Sequence, residues 1–178
     1  MRGRADAATL ERFMRELGRA ARVETRVYLT GGACAVLLGW RPSTIDADIH
    51  VVPESDAVFS AIPRLKEDLG LNVELASPAD FVPELPGWRE RSPFVAREGR
   101  ASFHHYDFYA QALAKIERGH AQDQADVAHM LAAGLVEPAR LRALFDAVEP
   151  DLIRYPAVDA AGLRRAVEAV AGRGRSEP

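Results

Sequence analysis

Apolar and polar positions alternate along this chain with two different periods, and the switch between them divides it. In residues 7–22 the apolar set Ala8, Leu10, Phe13, Met14, Leu17 and Ala21 recurs at helical spacing, which predicts an amphipathic helix. RVYLT (26–30) reads as a short strand, broken by Gly31-Gly32, and Ala33 to Leu38 as two turns of buried helix stopped by Gly39. After the turn Arg41-Pro42-Ser43-Thr44, residues 45–52 read as a strand ended by Pro53. Residues 55–69 are helical, with Pro63 expected to kink the helix or open a new first turn, and 71–75 form a third strand. The stretch 76–92 is rich in Pro and Gly and long enough for a functional role to be considered. Residues 93–105 read as a hairpin turning at Glu98-Gly99. From Asp107, a plausible N-cap, helices are expected over 107–119, 121–133, 138–148 and 159–172. The pattern therefore predicts an α+β protein: an α/β core over 1–105, a helical part over 106–172 packed on it, and a disordered tail over 173–178.

The chain has 178 residues and no apolar run near the length of a membrane span, so no membrane partner is expected. The N-terminus lacks the apolar core of a signal peptide, and the single cysteine, Cys34, permits no internal disulfide; both fit a cytoplasmic setting. The net charge of −3 does not mark a nucleic-acid binder, but its distribution is uneven. Residues 27–87 carry nine acidic and three basic residues, between two flanking segments of net positive charge. Such an acidic middle could hold a cation facing a polyanion; uneven surface charge would look the same. Only Lys66 and Lys115 are lysines among 23 basic residues, so a lysine here marks a place where a compact ammonium is wanted.

The informative stretch is VYLTGGACAVLLGWRPSTIDADIHVV, residues 27–52. A Gly-Gly pair between strand and helix lets a ligand approach the backbone, with the amides of the helix start beyond it. Asp46 and Asp48 lie at i and i+2 on a strand, so both carboxylates point the same way, roughly 6.7 Å apart. Hard carboxylate oxygens of this kind suit Mg²⁺, which binds through one or two carboxylates plus substrate phosphates. Arg41, Ser43 and Thr44 offer guanidinium and hydroxyl donors to phosphate oxygens. Taken singly, a Gly-Gly turn or a solvent-facing Asp pair has a purely structural explanation; their combination in this order points to nucleotide chemistry.

Gly31-Gly32, thirteen further residues and then Asp46-x-Asp48 resembles the first motif of the polymerase-β-like nucleotidyltransferase fold. With Arg41 and Thr44 between them, the stretch looks most like the AbiEii-type (MenT-like) toxin nucleotidyltransferases and their short relatives. Lys115 followed by Asp123-Gln-Ala-Asp126 is similar to the second, C-terminal motif of that family, with Gln122 where the family often has Arg. The likeness covers roughly residues 26–131. It implies a small mixed sheet flanked by helices and followed by a helical bundle. It implies a Mg²⁺-dependent transfer of a nucleoside monophosphate from an NTP to a hydroxyl, in toxin members the 3′ end of a tRNA, and a possible cognate antitoxin protein.

In that scheme Gly31, Gly32, Arg41, Ser43 and Thr44 grip the phosphates. Asp46 and Asp48 hold the metal, Lys115 neutralises the triphosphate, and Asp126 belongs to the nucleotide-binding set. The third carboxylate that serves as general base falls to Glu74, with Asp80 second. Asp123 and Asp126, on one helix face, would orient Lys115 and Arg118 or be solvated. The alternative is a nucleotide-binding or partner-binding module of a toxin–antitoxin pair with little transfer chemistry, or, less favoured, a Mg²⁺-dependent phosphohydrolase. His50 shares the face of Asp46 and Asp48 and is either a further ligand or structural. His104 and His105 face opposite sides of their strand. Trp88, Arg89 and Arg91 would stack and pair with RNA or simply fill their loop.

Overall fold

The computed structural model of the chain describes residues 3–173. Two compact units share the sequence: Met1–Ser77 with Ser92–Tyr106, and Pro78–Arg91 with Asp107–Pro178. Together they make an α+β protein with a five-stranded mixed sheet and, among the described residues, seven α-helices.

The first unit holds the sheet. Its strands are β1 (Thr25–Thr30), β2 (Asp46–Val52), β3 (Asn72–Leu75), β4 (Phe94–Glu98) and β5 (Ala101–His105), in the order β3-β2-β1-β5-β4. β2 runs antiparallel to β1 and parallel to β3; β5 runs parallel to β1 and antiparallel to β4. Strand alternation sorts the side chains into two faces. Val27, Leu29, Ala47, Ile49, Val51 and Phe103 are buried on one, which the helices α1 (Ala7–Ala20), α2 (Gly32–Leu37) and α3 (Asp56–Leu69) cover. The opposite, polar face carries Asp46, Asp48 and His50 of β2, Asn72 and Glu74 of β3, Thr30 and Tyr28 of β1, and His104 of β5.

The helices form where the periodicity places them. Asp6 caps α1 by accepting from the Thr9 amide at 2.9 Å, and Leu10, Phe13, Met14 and Leu17 make the buried stripe. Helix α3 departs from expectation. It runs unbroken through Pro63, with Val58, Ile62 and Leu65 buried on either side of the proline where α3 packs on α1 and β3.

His105 lies on the apolar side of β5, buried, with Nδ1 3.1 Å from Cys34 Sγ; that thiol in turn donates to the Leu29 carbonyl at 3.1 Å. Burial pushes the His105 imidazole down to about 4, so it is neutral in the folded state at pH 7. The unfolded chain takes up a proton near pH 6.5 that the folded chain refuses until about pH 4. Stability is therefore expected to fall as pH drops through this window, by about 3 kcal/mol in all. His104 is also lowered, by desolvation, and adds to the same slope. Urea titrations between pH 7 and 4 should show the decline, and His105→Asn should flatten it. An unchanged slope in that variant would remove His105 as its source.

In the second unit, α4 (Phe108–Arg118), α5 (Ala121–Ala132), α6 (Pro138–Val148) and α7 (Ala160–Arg173) follow one another, with a 3₁₀ segment, Glu149–Arg154, before α7. Arg173 still belongs to α7, one residue into the expected tail; residues 174–178 lie outside the described ones. Segment 78–91 has little regular structure, yet Val82, Leu85 and Trp88 are buried. Arg91 fastens it: the guanidinium donates twice to Asp107 Oδ2, at 2.6 and 3.1 Å, and once to the Pro86 carbonyl at 2.7 Å. Asp107 also caps α4 through the Tyr109 amide, and Tyr155 Oη donates to the Ala79 carbonyl at 2.9 Å. Trp88 and Arg91 are thus packed and paired within this unit, and the Arg89 guanidinium sits 5.3 Å from the Trp88 ring. Among the described residues no helix is long and apolar enough to cross a membrane.

Candidate functional site

On the polar face of the sheet, β2 and β3 bring the predicted acids together. Asp46 and Asp48 are half-buried, with buried Ala47 between them on the helix side. The parallel register sets Asn72 beside Asp46 and Glu74 beside Asp48. Asn72, itself buried, spans two carboxylates: its Nδ2 donates to Asp46 Oδ1 and to Glu74 Oε1, each at 2.8 Å. A neutral amide so placed draws two anions together, offsetting part of their repulsion. Of the two candidates for the third acid, Glu74 stands next to the pair, exposed, while Asp80 lies in the 3₁₀ turn Pro78–Asp80 of the second unit.

The glycine turn meets the same face. Gly31 adopts φ +65°, and a Cβ there would lie 3.2 Å from Asp48 Oδ2. Gly32 opens α2, and a Cβ on it would fall 2.1 Å from Thr44 Oγ1 and 3.5 Å from an Arg41 guanidinium nitrogen. Thr44 is held firmly: its amide and carbonyl pair with Ala5, and its hydroxyl donates to the Asp46 carbonyl at 2.9 Å. Ser43 is half-buried beside it. Gly31, Gly32, Arg41, Thr44, Asp46, Asp48 and Glu74 are therefore neighbours on one unit. Gly32→Ala should displace Thr44 and cost about 1–3 kcal/mol, read as a lower melting temperature. Adding Thr44→Gly should return part of the loss; a Gly32→Ala protein as stable as the parent would contradict this packing.

Magnesium fits this donor set. Asp46 and Asp48, both half-buried, supply hard oxygens on one face, and Mg²⁺ needs only one or two protein carboxylates, the remainder coming from water and phosphate. Among the described residues there is no group of three or more His, Cys, Asp or Glu that could by itself hold a metal ion, so the protein's share of the coordination would be the two aspartates. His50 continues the face, its ring packed against Tyr28 and Tyr106 with centroids 6.3 and 6.2 Å apart.

Within the second unit, Lys115 is buried near the end of α4. Its Nζ lies 2.8 Å from Asp126 Oδ2 and 3.4 Å from Asp123 Oδ1, both carboxylates being buried on α5. Arg118 grips Asp123 with two bonds, at 2.6 and 3.2 Å, and Gln122 Nε2 reaches Asp126 Oδ1 at 3.5 Å. The i, i+3 pair on α5 thus holds both cations of α4, and Lys115 is neutralised within its own unit. Burial pushes the Asp123 carboxyl up, but the hydrogen bonds from Arg118 and the charges of Lys115 and Arg118 outweigh it and leave the group below the usual carboxylate range.

Asn72 is the residue that sequence reading passed over. Its signal was present: in LNVEL it sits two residues before Glu74, and strand alternation puts both on one face. Comparison with protein-family models, curated proteins and solved structures yielded no match.

Proposed function

We propose that this protein is a Mg²⁺-dependent nucleotidyltransferase with a nucleotidyltransferase fold, moving a nucleoside monophosphate from an NTP to a hydroxyl acceptor. The observation that carries the reading is the convergence of the Gly31-Gly32 turn with Asp46, Asp48 and Glu74 on one sheet face. Asp46 and Asp48 would hold the metal, which when bound draws charge from the attacking and leaving oxygens. Gly31 and Gly32, lacking side chains, let Asp48 and Thr44 close onto the turn, and Thr44 and Arg41 stand beside the carboxylate pair as donors to a triphosphate. Glu74 takes the acceptor proton as the acceptor oxygen bonds to the α-phosphorus. The bond from that phosphorus to the β-phosphate oxygen breaks, and pyrophosphate leaves. The resemblance suggests a tRNA 3′ end as acceptor, and an antitoxin protein as partner.

The competing reading is a nucleotide- or partner-binding module with little transfer chemistry. Two observations favour it: Glu74 is engaged by Asn72, and the ammonium of Lys115 is engaged by Asp123 and Asp126. Incubating the protein with labelled NTPs and total tRNA, with and without Mg²⁺, separates the two. Label incorporation that needs Mg²⁺ and vanishes in Asp46→Ala is the outcome expected of the enzyme. NTP binding without incorporation would assign the module instead.

A further inference from the structure

Position 72 decides which oxygens the acidic face can offer. Asn72 lies opposite Asp46 in the parallel register and two residues before Glu74, so strand alternation sets its buried side chain beside both. An amide NH₂ carries two protons and no net charge. Here one proton goes to Asp46 Oδ1 and the other to Glu74 Oε1, each at 2.8 Å. Turned over, the amide would set its own oxygen against two carboxylate oxygens, so its partners fix its orientation. Among the described residues no further hydrogen bond reaches Asp46 Oδ2 or Glu74 Oε2.

The amide therefore holds one oxygen of each carboxylate and leaves the other. It does so without bringing a charge of its own. A lysine or arginine at this position would hold the same oxygens as ion pairs and compete with a metal for them. An aliphatic side chain would leave both carboxylates to rotate. Carboxylates that ligate metals are oriented by outer hydrogen bonds of this kind, and losing such a bond weakens the metal site.

We propose that Asn72 is a positioning residue, which fixes Asp46 to offer Oδ2 to Mg²⁺ and Glu74 to take the acceptor proton at Oε2. The inference rests on the transferase reading and names, within it, the working atom of each carboxylate. Engagement of Glu74 by Asn72 is then compatible with a role as base, because the bond occupies only one of the two oxygens.

The test titrates the full chain with Mn²⁺, a stand-in for Mg²⁺ whose free ion is read by electron paramagnetic resonance, alongside thermal melting of the metal-free proteins. The parent should bind Mn²⁺ at a site that Asp46→Ala removes. Asn72→Ala should weaken that site by about 10–100-fold. Asn72→Ser, which keeps one donor, should fall between. Val73→Ala loosens β3 from its other, buried face, so it should lower the melting temperature and leave Mn²⁺ affinity at the parental value. In side-chain amide NMR spectra the two Asn72 Nδ2 protons should stay protected from solvent and shift when Mg²⁺ is added. Parental affinity in Asn72→Ala would overturn the positioning role and leave the transferase reading standing. Equal loss of affinity in Val73→Ala would overturn it too, because strand order rather than the amide would then hold the site. A parent protein without an Asp46-dependent Mn²⁺ site would overturn the transferase reading and this inference together.

Discussion

Asp48→Asn should lower Mg²⁺-dependent NMP transfer by about 10²–10³-fold while leaving the protein folded. The substitution keeps the shape of the side chain and removes one of the two hard oxygens that would hold the metal. A bound metal supplies several kcal/mol of charge stabilisation at the reacting centre, and each 1.4 kcal/mol lost is about tenfold in rate. Asp48 is a cleaner target than Asp46, because Asp46 Oδ1 accepts from Asn72 and its loss would leave a buried amide proton without that acceptor. The protein should remain folded, since the half-buried side chain keeps its shape in the variant. Initial rates with labelled NTP, alongside thermal melting, make the comparison. A variant that transfers at the parental rate would remove Asp48 from the chemistry and with it the carboxylate pair.

The largest effect on stability is expected at Asp126. Asp126→Ala leaves the buried Lys115 ammonium facing Asp123 at 3.4 Å, a carboxylate already gripped by Arg118. Removing one partner of a buried pair costs about 3–5 kcal/mol, because the remaining charge stays desolvated. The denaturant midpoint should fall with no change in slope. Replacing both partners, Lys115→Met with Asp126→Leu, should recover most of the loss, since no charge is then left stranded. If the single and double variants are equally unstable, packing rather than charge holds this corner. The cluster also has an acid limit. Asp123 ionises below its unfolded value, so its contribution is complete above about pH 4 and disappears as pH falls through the lower, folded pKa. This lies below the window set by His105, and acid unfolding should therefore proceed in two regimes.

Local pattern carried much of the architecture. The apolar spacing in 7–22 and 55–69, the glycine stops and the Asp-x-Asp alternation are properties of neighbouring residues, and α1, α3 and β2 follow them closely. Pairing is different. Nothing local says that β3 joins β2 in parallel, and that register is what sets Asn72 against Asp46 and Glu74 against Asp48. Long-range partners likewise escaped the pattern. Lys115 stood out by rarity and Asp123 and Asp126 by spacing, yet their mutual neutralisation depends on how α4 packs on α5. Segment 78–91 read as a loop because its buried residues, Val82, Leu85 and Trp88, lack a period, and because Asp107, Arg91's counter-ion, is sixteen positions away.

That strap bears on how the gene can be divided. The covalent path changes unit three times, after Ser77, Arg91 and Tyr106, so neither unit is one contiguous coding segment. A fragment stopping at 105 would carry Arg91 without Asp107 and Ala79 without Tyr155; one starting at 107 would lack Val82, Leu85 and Trp88. Recombination with a single junction would therefore separate side chains that belong to one core, and exchange of either half between genes is disfavoured.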